Sequence, residues 1–412
     1  MTREGYAVGL VPEDLFEHPN ALAPDYSEFR VGERLLLTGH SHQAWPDVGL
    51  SAQEAAWHDA ARLVDEKWGE AFARAAAVRE GFARLLGVTG RPDDGDYALG
   101  GSTHELVIRF LSALSLSDRP RLVTTDGEFH TIRRQLDRLG EEEVEIVKVA
   151  VDPVESLADR AAAAMDARTA AALVSSVLYR DARIVPDLAI LHDRCERLGA
   201  PLLIDAYHAL DALPFPLLAG GLAGAFVVGG GYKYCQLGEG NCFLRSPPGC
   251  SLRPVITGWF SEFGLLETGS ESGAVAYGGG ADRFAGSTYD PTSHYRAAAV
   301  LEFFADRGLT PELLRQVSQH QVGRLARRFD ELDADRAIVT RPDVPLAGIG
   351  GFLALRSDRA AELRAGLRAR GVLTDHRDDV LRLGPAPYLS DRQLDDAIIA
   401  LGETIRELSR SK

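Results

Sequence analysis

Cysteine is scarce in this chain, which has only Cys195, Cys235, Cys242 and Cys250 among its 412 residues. Their spacing contains no C-x-x-C pair and no set typical of a metal site, and such sparse use suits a reducing compartment. The N-terminal residues also lack the apolar segment of a secretory signal. We therefore expect a cytoplasmic protein without a metal site.

Positive charge is also in deficit, since 45 basic residues face 60 acidic ones and the formal net charge is −15. This balance argues against nucleic acid or an anionic membrane as a partner. One uncharged run, 212–232, is long enough to span a bilayer, but its six glycines and two prolines predict a loop and a buried strand. The hydrophobic and charged fractions, 45% and 25%, are those of an ordinary globular protein.

From residue 97 onward, short apolar segments alternate with helical patterns, which predicts a mainly parallel sheet covered by helices. The predicted strands are 121–125, 144–151, 171–178 and 202–205. After residue 286, longer helices and short strands predict a smaller α+β lobe. The predicted organisation is an N-terminal arm and loop at 1–50, a large domain at 51–292 and a small C-terminal domain at 293–412.

The segment 201–245 carries the strongest chemical signal. One apolar run ends at Asp205, and a second leads through three glycines to Lys233. Ligands bind at strand ends in open α/β sheets. A lysine can capture an aldehyde cofactor covalently, and a carboxylate can hold its ring nitrogen protonated, as pyridoxal 5′-phosphate requires. Either residue alone would be an ordinary surface lysine or a helix-capping aspartate, but the pair favours the cofactor.

Three further features fit this cofactor, each with a simpler alternative. Ser102 and Thr103 follow two glycines and open a helix, so they form either a phosphate cradle or an ordinary N-cap. Phe129 follows a strand and either stacks on a pyridine ring or packs at a turn. Arg382, in an apolar strand, needs an anion: either a substrate carboxylate or an acid of 375–379.

These residues resemble those of the fold-type-I pyridoxal-phosphate enzymes, aminotransferase class V group, and within that group the kynureninases. The resemblance covers about 34–390 and rests on IDAYHA (204–209), Tyr232-Lys233, GWF (258–260), RFAGSTYDP (283–291) and LRLGPAPYL (381–389). It implies an α/β fold, with a mainly parallel seven-stranded sheet in the large domain and a smaller α+β C-terminal domain. It also implies a homodimer.

The resemblance implies roles for individual residues. Lys233 would bind pyridoxal 5′-phosphate, Asp205 would pair with the ring nitrogen, and His208 would touch Asp205 or the ring substituents. The other residues implied to hold the cofactor are Ser102, Thr103, Phe129, Tyr232, Trp259 and Thr288. Of these, Trp259 and Thr288 would reach the site from a neighbouring subunit. Ser41 and Arg382 would contact an amino-acid substrate.

The departures from the kynureninase pattern concern the substrate side. The loop at 39–43 reads Gly-His-Ser-His-Gln instead of Gly-Asn-Ser-Leu-Gly, Ser-Ser-Val at 175–177 replaces an asparagine-containing segment, and Thr288 replaces a substrate-facing asparagine. The predicted reaction is kynureninase-like hydrolytic Cβ–Cγ cleavage of a free α-amino acid. The alternatives are a class V aminotransferase, a β-eliminating lyase and a non-catalytic cofactor-binding relic. A cysteine desulfurase is disfavoured because no cysteine follows Cys250.

Overall fold

A seven-stranded sheet forms the centre of the computed structural model, which describes residues 10–88, 94–265 and 275–410. The strand order is β2-β8-β7-β6-β5-β3-β4. One strand of this sheet, β8, runs opposite to the other six, so the predicted mainly parallel sheet of seven strands is confirmed. The strands are β2 (Asp96–Gly100), β3 (Arg121–Thr125), β4 (Glu145–Val149), β5 (Thr169–Ser175), β6 (Leu202–Asp205), β7 (Phe226–Gly230) and β8 (Cys242–Ser246).

Helices cover both faces of this sheet, which explains why its central strands are continuously apolar. All residues of β5 and β7 are buried. The first two helices of the large domain, which cover Val48–Leu63 and Trp68–Leu85, are separated where Val64 takes a positive φ of 53°. The helices are α1 (Val48–Leu63), α2 (Trp68–Leu85), α3 (Thr103–Ser112), α4 (His130–Gly140), α5 (Leu157–Ala163) and α6 (Leu188–Leu198).

The C-terminal part carries an antiparallel three-stranded sheet in the order β11-β12-β9, packed against long helices. The strands of the C-terminal part are β9 (Leu353–Arg356), β10 (Val372–Leu373), β11 (Asp375–Arg377) and β12 (Val380–Leu383), of which β10 lies outside the three-stranded sheet. The helices of this part are α7 (Thr292–Arg307), α8 (Pro311–Glu331), α9 (Ala360–Ala369) and α10 (Asp391–Arg410). This agrees with the expected α+β character. The domain boundaries at 50/51 and 292/293 stay predictions.

The N-terminal arm is bound to this C-terminal part. Its strand β1 (Leu35–Leu36) pairs in parallel with β10, and Thr38 bridges to Gly384. The loop that follows β1 therefore starts from a position fixed by the C-terminal part. The first nine residues of the arm lie outside the described residues.

The largest apolar cluster contains residues from Leu15 to Ile405, so the arm, one face of the large sheet and the C-terminal helices share one core. The run 212–232 is a loop that leads into β7, as expected. Among the described helices, none combines the length and the apolar character that a membrane span requires.

Candidate active site

The chain turns sharply after β7 and places Lys233 at the edge of the sheet. A Cβ atom on Gly230 would lie 2.5 Å from the Tyr207 hydroxyl and from Cys242 Sγ. Only glycine therefore fits where the backbone passes so close to these two side chains. The lysine that follows is only 5% exposed. Its side chain lines a cavity of about 280 Å³ at the carboxyl ends of the central strands.

The amine of Lys233 lies among aromatic and basic groups. Its Nζ is 2.6 Å from His208 Nε2, 4.7 Å from the Tyr207 ring centroid and 5.3 Å from the Phe129 ring centroid. Burial lowers the pKa of Lys233 to about 7, while the Asp205 charge acts in the opposite direction. A substantial fraction of this amine is therefore uncharged and nucleophilic at neutral pH.

Asp205 ends β6 and lines the same cavity. Its Oδ1 accepts a 2.8 Å hydrogen bond from the Tyr207 N–H. Burial raises the pKa of Asp205, whereas this hydrogen bond and the Lys233 charge favour the carboxylate form. A buried carboxylate in this position can hold a cationic ring nitrogen by ion pairing.

A second buried carboxylate, Glu128, lies beside Asp205 and had no predicted role. It accepts hydrogen bonds from Thr125 Oγ1 at 2.6 Å, from Ser175 N at 3.1 Å and from Ser175 Oγ at 2.6 Å. Burial raises its pKa to about 7, and the Asp205 charge acts in the same direction. Glu128 thus joins the ends of β3 and β5 and fixes the turn before Phe129.

Ser102 and Thr103 open helix α3 and line the same cavity, as does Tyr232. Ser102 is the N-cap: its hydroxyl accepts a 3.4 Å hydrogen bond from Glu105 N, and Glu105 Oε1 accepts from Ser102 N at 3.2 Å. Ser102 therefore acts as an ordinary helix N-cap, which is the simpler of the two alternatives given by the sequence. The two hydroxyl-bearing residues still line the cavity, where they could also bind a phosphate.

Arg382 differs most from expectation, because its guanidinium is paired and only 4% exposed. Its Nε donates to Asp375 Oδ1 at 2.8 Å, its Nη2 donates to Asp375 Oδ2, and its Nη1 donates to the Tyr179 carbonyl at 2.7 Å. His40 Nε2 is also 2.7 Å from Asp375 Oδ1. The alternative of an ion pair with an acid of 375–379 is the arrangement in the structure.

Besides Arg382, three further predicted residues do not line the Lys233 cavity of a single chain. Thr288 lines a neighbouring cavity of about 520 Å³, and Trp259 is 43% exposed and packs on Phe260. Ser41 Oγ lies 3.1 Å from His42 Nδ1. The His42 ring stacks on Tyr232 with centroids 4.8 Å apart, so the loop 39–43 reaches the edge of the site through His42.

Seven predicted residues do line this cavity: Ser102, Thr103, Phe129, Asp205, His208, Tyr232 and Lys233. His208 contacts Lys233, and its expected contact with Asp205 or the ring substituents stays a prediction. The combination of a buried lysine with a lowered pKa, a buried carboxylate, a nearby aromatic ring and hydroxyls at a helix N-terminus fits pyridoxal 5′-phosphate. The roles of the individual residues remain proposals.

Comparisons with known proteins agree with this fold and with the class of cofactor. No family model matches the chain. The chain is similar to the uncharacterised aminotransferase YcbU of Bacillus subtilis, with 26% identity over 347 residues, or 83% of this chain and 87% of the relative. It is also similar to a kynureninase of Geobacillus thermodenitrificans, with 26% identity over 265 residues, or 61% and 58% of the two chains.

Solved structures show the same fold at low sequence identity. A C-DES variant with glycine linked covalently to its pyridoxal-phosphate cofactor has a TM-score of 0.78 at 15% identity, covering 92% of this chain and 98% of that one. A cysteine desulfurase from Thermococcus onnurineus has a TM-score of 0.77 at 15% identity, covering 97% and 99%. The predicted fold-type-I architecture and the resemblance to class V enzymes are confirmed.

Proposed function

We propose that the chain is a pyridoxal-phosphate-dependent enzyme that acts on free α-amino acids. The observation that carries this proposal is the meeting of Lys233, Asp205 and Phe129 in one buried cavity, each from the end of a different sheet strand. The relatives named aminotransferase and kynureninase support the same class of enzyme.

The residues of the cavity have complementary tasks in this proposal. Lys233 binds the cofactor covalently, and Asp205 pairs with its ring nitrogen. When bound, the cofactor supplies an electron sink for the substrate's Cα. Lys233, with its lowered pKa, removes the Cα proton, and His208, 2.6 Å away, exchanges protons with it. Phe129 covers one face of the site and limits its contact with water.

The proposed reaction is a kynureninase-like cleavage of the Cβ–Cγ bond in an amino acid that carries a γ-carbonyl. Addition of water to that carbonyl yields alanine and a carboxylic acid. Similarity to a kynureninase and the motifs at 258–260 and 381–389 support this choice. A class V aminotransferase is the alternative, favoured by the relative that matches 83% of this chain.

The proposal includes a homodimer with shared sites. Thr288 and Trp259 resemble cofactor-binding residues but lie away from the Lys233 cavity of their own chain. Trp259 belongs to an exposed apolar surface with Val255, which is 82% exposed, and Phe263, which is 46% exposed. A second copy that packs on this surface would bury it and bring both residues toward a neighbouring cavity.

Reduction with borohydride tests the covalent link. After incubation with pyridoxal 5′-phosphate, peptide mapping should find the pyridoxyl group on Lys233 and none on the Lys233→Ala variant. A label on Lys67 or Lys148 instead would contradict the assignment, because both lie outside the cavity.

Product analysis tests the reaction. The holoenzyme would be incubated with a panel of amino acids that includes γ-carbonyl substrates. Alanine with a new carboxylic acid supports cleavage, a keto acid supports transamination, and pyruvate with ammonia supports elimination. A protein that binds the cofactor but converts no member of the panel fits the non-catalytic alternative.

A further inference from the structure

Helix α6 carries a histidine on the face that packs into the core. The buried residues of this helix are Leu188, Leu191, His192 and Cys195, spaced as one helical stripe. His192 is only 4% exposed, and its Nε2 atom has no hydrogen-bond partner in the described part of the chain. A buried polar atom without a partner costs free energy. The position therefore favours a ligand for this nitrogen from outside the described chain.

Two carboxylate side chains lie beside this nitrogen. Glu196 follows His192 by four positions and shares its side of the helix. The distance from Glu196 Oε1 to His192 Nε2 is 3.8 Å. Asp193 completes the group, because one ligand-type atom from each of the three residues lies within 4.8 Å of the other two. Both acids are exposed, so an ion from the solvent can reach them.

The separation of 3.8 Å fits two ligands of one metal ion better than it fits a direct contact. It is longer than a hydrogen bond between nitrogen and oxygen, for which about 3.2 Å is the usual upper value. Two ligands that each lie about 2.1 Å from a tetrahedral ion are about 3.4 Å apart. A small rotation of the exposed Glu196 side chain covers the difference of about 0.4 Å between these two separations. The pair is therefore close to the geometry in which both side chains bind one ion.

A glycine in the adjacent loop leaves room beside these two atoms. The loop that leads into β7 passes them at Gly224, where a Cβ atom would lie 2.8 Å from His192 Nε2 and 2.9 Å from Glu196 Oε1. Both distances are shorter than a van der Waals contact. Any residue larger than glycine would therefore crowd the two ligand atoms, and the glycine keeps the space next to them open.

We propose that His192, Asp193 and Glu196 bind a divalent transition-metal ion such as Zn²⁺ on helix α6. A neutral imidazole together with carboxylates suits Zn²⁺, whereas Mg²⁺ and Ca²⁺ prefer ligand sets made of oxygen alone. Water from the solvent completes the coordination of the ion. The set contains no cysteine, so the spacing of the four cysteines gives no sign of it.

The proposed metal site is separate from the candidate active site, since none of its three residues lines the Lys233 cavity. Helix α6 leads into β6, and Gly224 lies just before β7. The ion therefore supports the segments that enter two central strands and takes no part in the chemistry. Because the folded chain holds the three ligands together, Zn²⁺ should raise the melting temperature of the protein.

Equilibrium dialysis of the chelator-treated full chain against Zn²⁺ or Mg²⁺ tests the site, with metal analysis and melting temperatures as readouts. Wild type should bind one Zn²⁺ that Mg²⁺ does not displace at equal concentration. Glu196→Gln, which changes an exposed side chain, and His192→Gln should each bind this Zn²⁺ at least about tenfold more weakly. Zn²⁺ should raise the melting temperature of wild type but not of these variants.

Two further variants separate a metal site from general attraction to histidine or to acids. His320→Gln is the matched control, since His320 Nε2 is also near a carboxylate, 2.7 Å from Asp391 Oδ1, but belongs to another part of the fold. It should bind Zn²⁺ as wild type does. Gly224→Ala keeps all three ligands but places a Cβ beside two of them, so its Zn²⁺ affinity should fall.

A wild type without saturable Zn²⁺ binding would overturn the inference, as would Glu196→Gln with wild-type affinity, because the ion would then be held elsewhere. Equal affinity for Mg²⁺ and Zn²⁺ would overturn the choice of a transition metal. If His192→Gln does not fold, Glu196→Gln and Gly224→Ala carry the test. All measurements use protein without the cofactor, so their outcome is independent of the proposed function.

Discussion

Lys233 Nζ and His208 Nε2 lie 2.6 Å apart, and both side chains are buried. Burial lowers the pKa of His208 well below its ordinary value, and the Lys233 charge lowers it further. The imidazole is therefore neutral near pH 7, and the lysine is partly uncharged. The two nitrogens can therefore share one excess proton, because its transfer from the protonated Lys233 amine to the neutral His208 ring moves a single positive charge and creates no second one in the cavity.

The lowered pKa of Lys233 predicts how fast the apoprotein captures pyridoxal 5′-phosphate at different pH values. Since the uncharged amine is the nucleophile, the rate should rise through about pH 7 and level off above it. Stopped-flow absorbance from pH 5.5 to 10 would record this profile. A rate that still climbs above about pH 9, as expected of an ordinary lysine, would contradict the prediction.

Asp205→Asn should retain cofactor but lose most turnover. The amide keeps the shape of the side chain but not the negative charge that pairs with the ring nitrogen, so we expect about a 10²–10³-fold loss in kcat. Cofactor content and kcat should be measured on the same preparation. Asp211→Asn is a suitable control, because Asp211 is also buried but does not line the cavity. Unchanged kcat in Asp205→Asn would refute the role.

Glu128 should make stability depend on pH. Burial raises its folded-state pKa to about 7, above its value in the unfolded chain, so stability falls as pH rises from about 4.5 to 7. Glu128→Gln removes this titration. The melting temperature of the variant minus that of wild type should therefore increase over this range, corresponding to at most about 3 kcal/mol. A difference that is constant with pH would show that Glu128 does not titrate there.

Phe129→Leu should weaken cofactor binding without abolishing it. Loss of an aromatic stacking partner costs about 0.5–1.5 kcal/mol, or about a two- to tenfold higher Kd for pyridoxal 5′-phosphate. Equilibrium dialysis of the apoprotein would measure it. Phe72→Leu provides the comparison, since its ring is partly exposed and does not line the cavity. An equal loss in both variants would point to general destabilisation.

A site shared between subunits predicts complementation. Lys233→Ala and Thr288→Asp chains should each be inactive alone, the second because its new charge repels a phosphate. Mixed and re-associated, they should regain part of the activity, because a hybrid dimer contains one site with both native residues. Mixing Lys233→Ala with Asp205→Asn is the control: both residues line the same cavity of one chain, so activity should stay low. Equal activity in the two mixtures would exclude sharing.

Much of the fold was predictable because buried parallel strands are short, apolar and bounded by polar turns. The predicted strands 121–125 and 202–205 coincide with β3 and β6. Strand β8 was not predicted. Its Arg245 is fully buried and interrupts the apolar pattern, and its guanidinium is satisfied by backbone carbonyls, including that of Ala225 at 2.6 Å. A single sequence gives no sign of such acceptors, because they come from a distant segment.

The cofactor side of the site was also accessible from sequence, since a lysine and an aspartate at strand ends follow from local pattern. The residues on the substrate side of the site could not be assigned in the same way, because their neighbours depend on the register between paired strands. Whether Arg382 faces a ligand or an acid is decided by the β11–β12 hairpin, which sets Asp375 directly opposite it. Glu128 gave only a weak signal, an acid before the predicted stacking residue, and its partners come from two strands.

The pairing of β1 with β10 bears on how the protein is made. Leu35 leaves the ribosome long before its partner Val372, which lies more than 300 residues later in the chain. During synthesis, the loop 39–43 therefore lacks the support of the β1–β10 pairing until β10 has emerged. Contacts this distant in sequence form slowly, so the large sheet can assemble well before the edge of its cavity is complete. A nascent chain stalled before residue 372 should therefore contain Lys233 but not a finished active site.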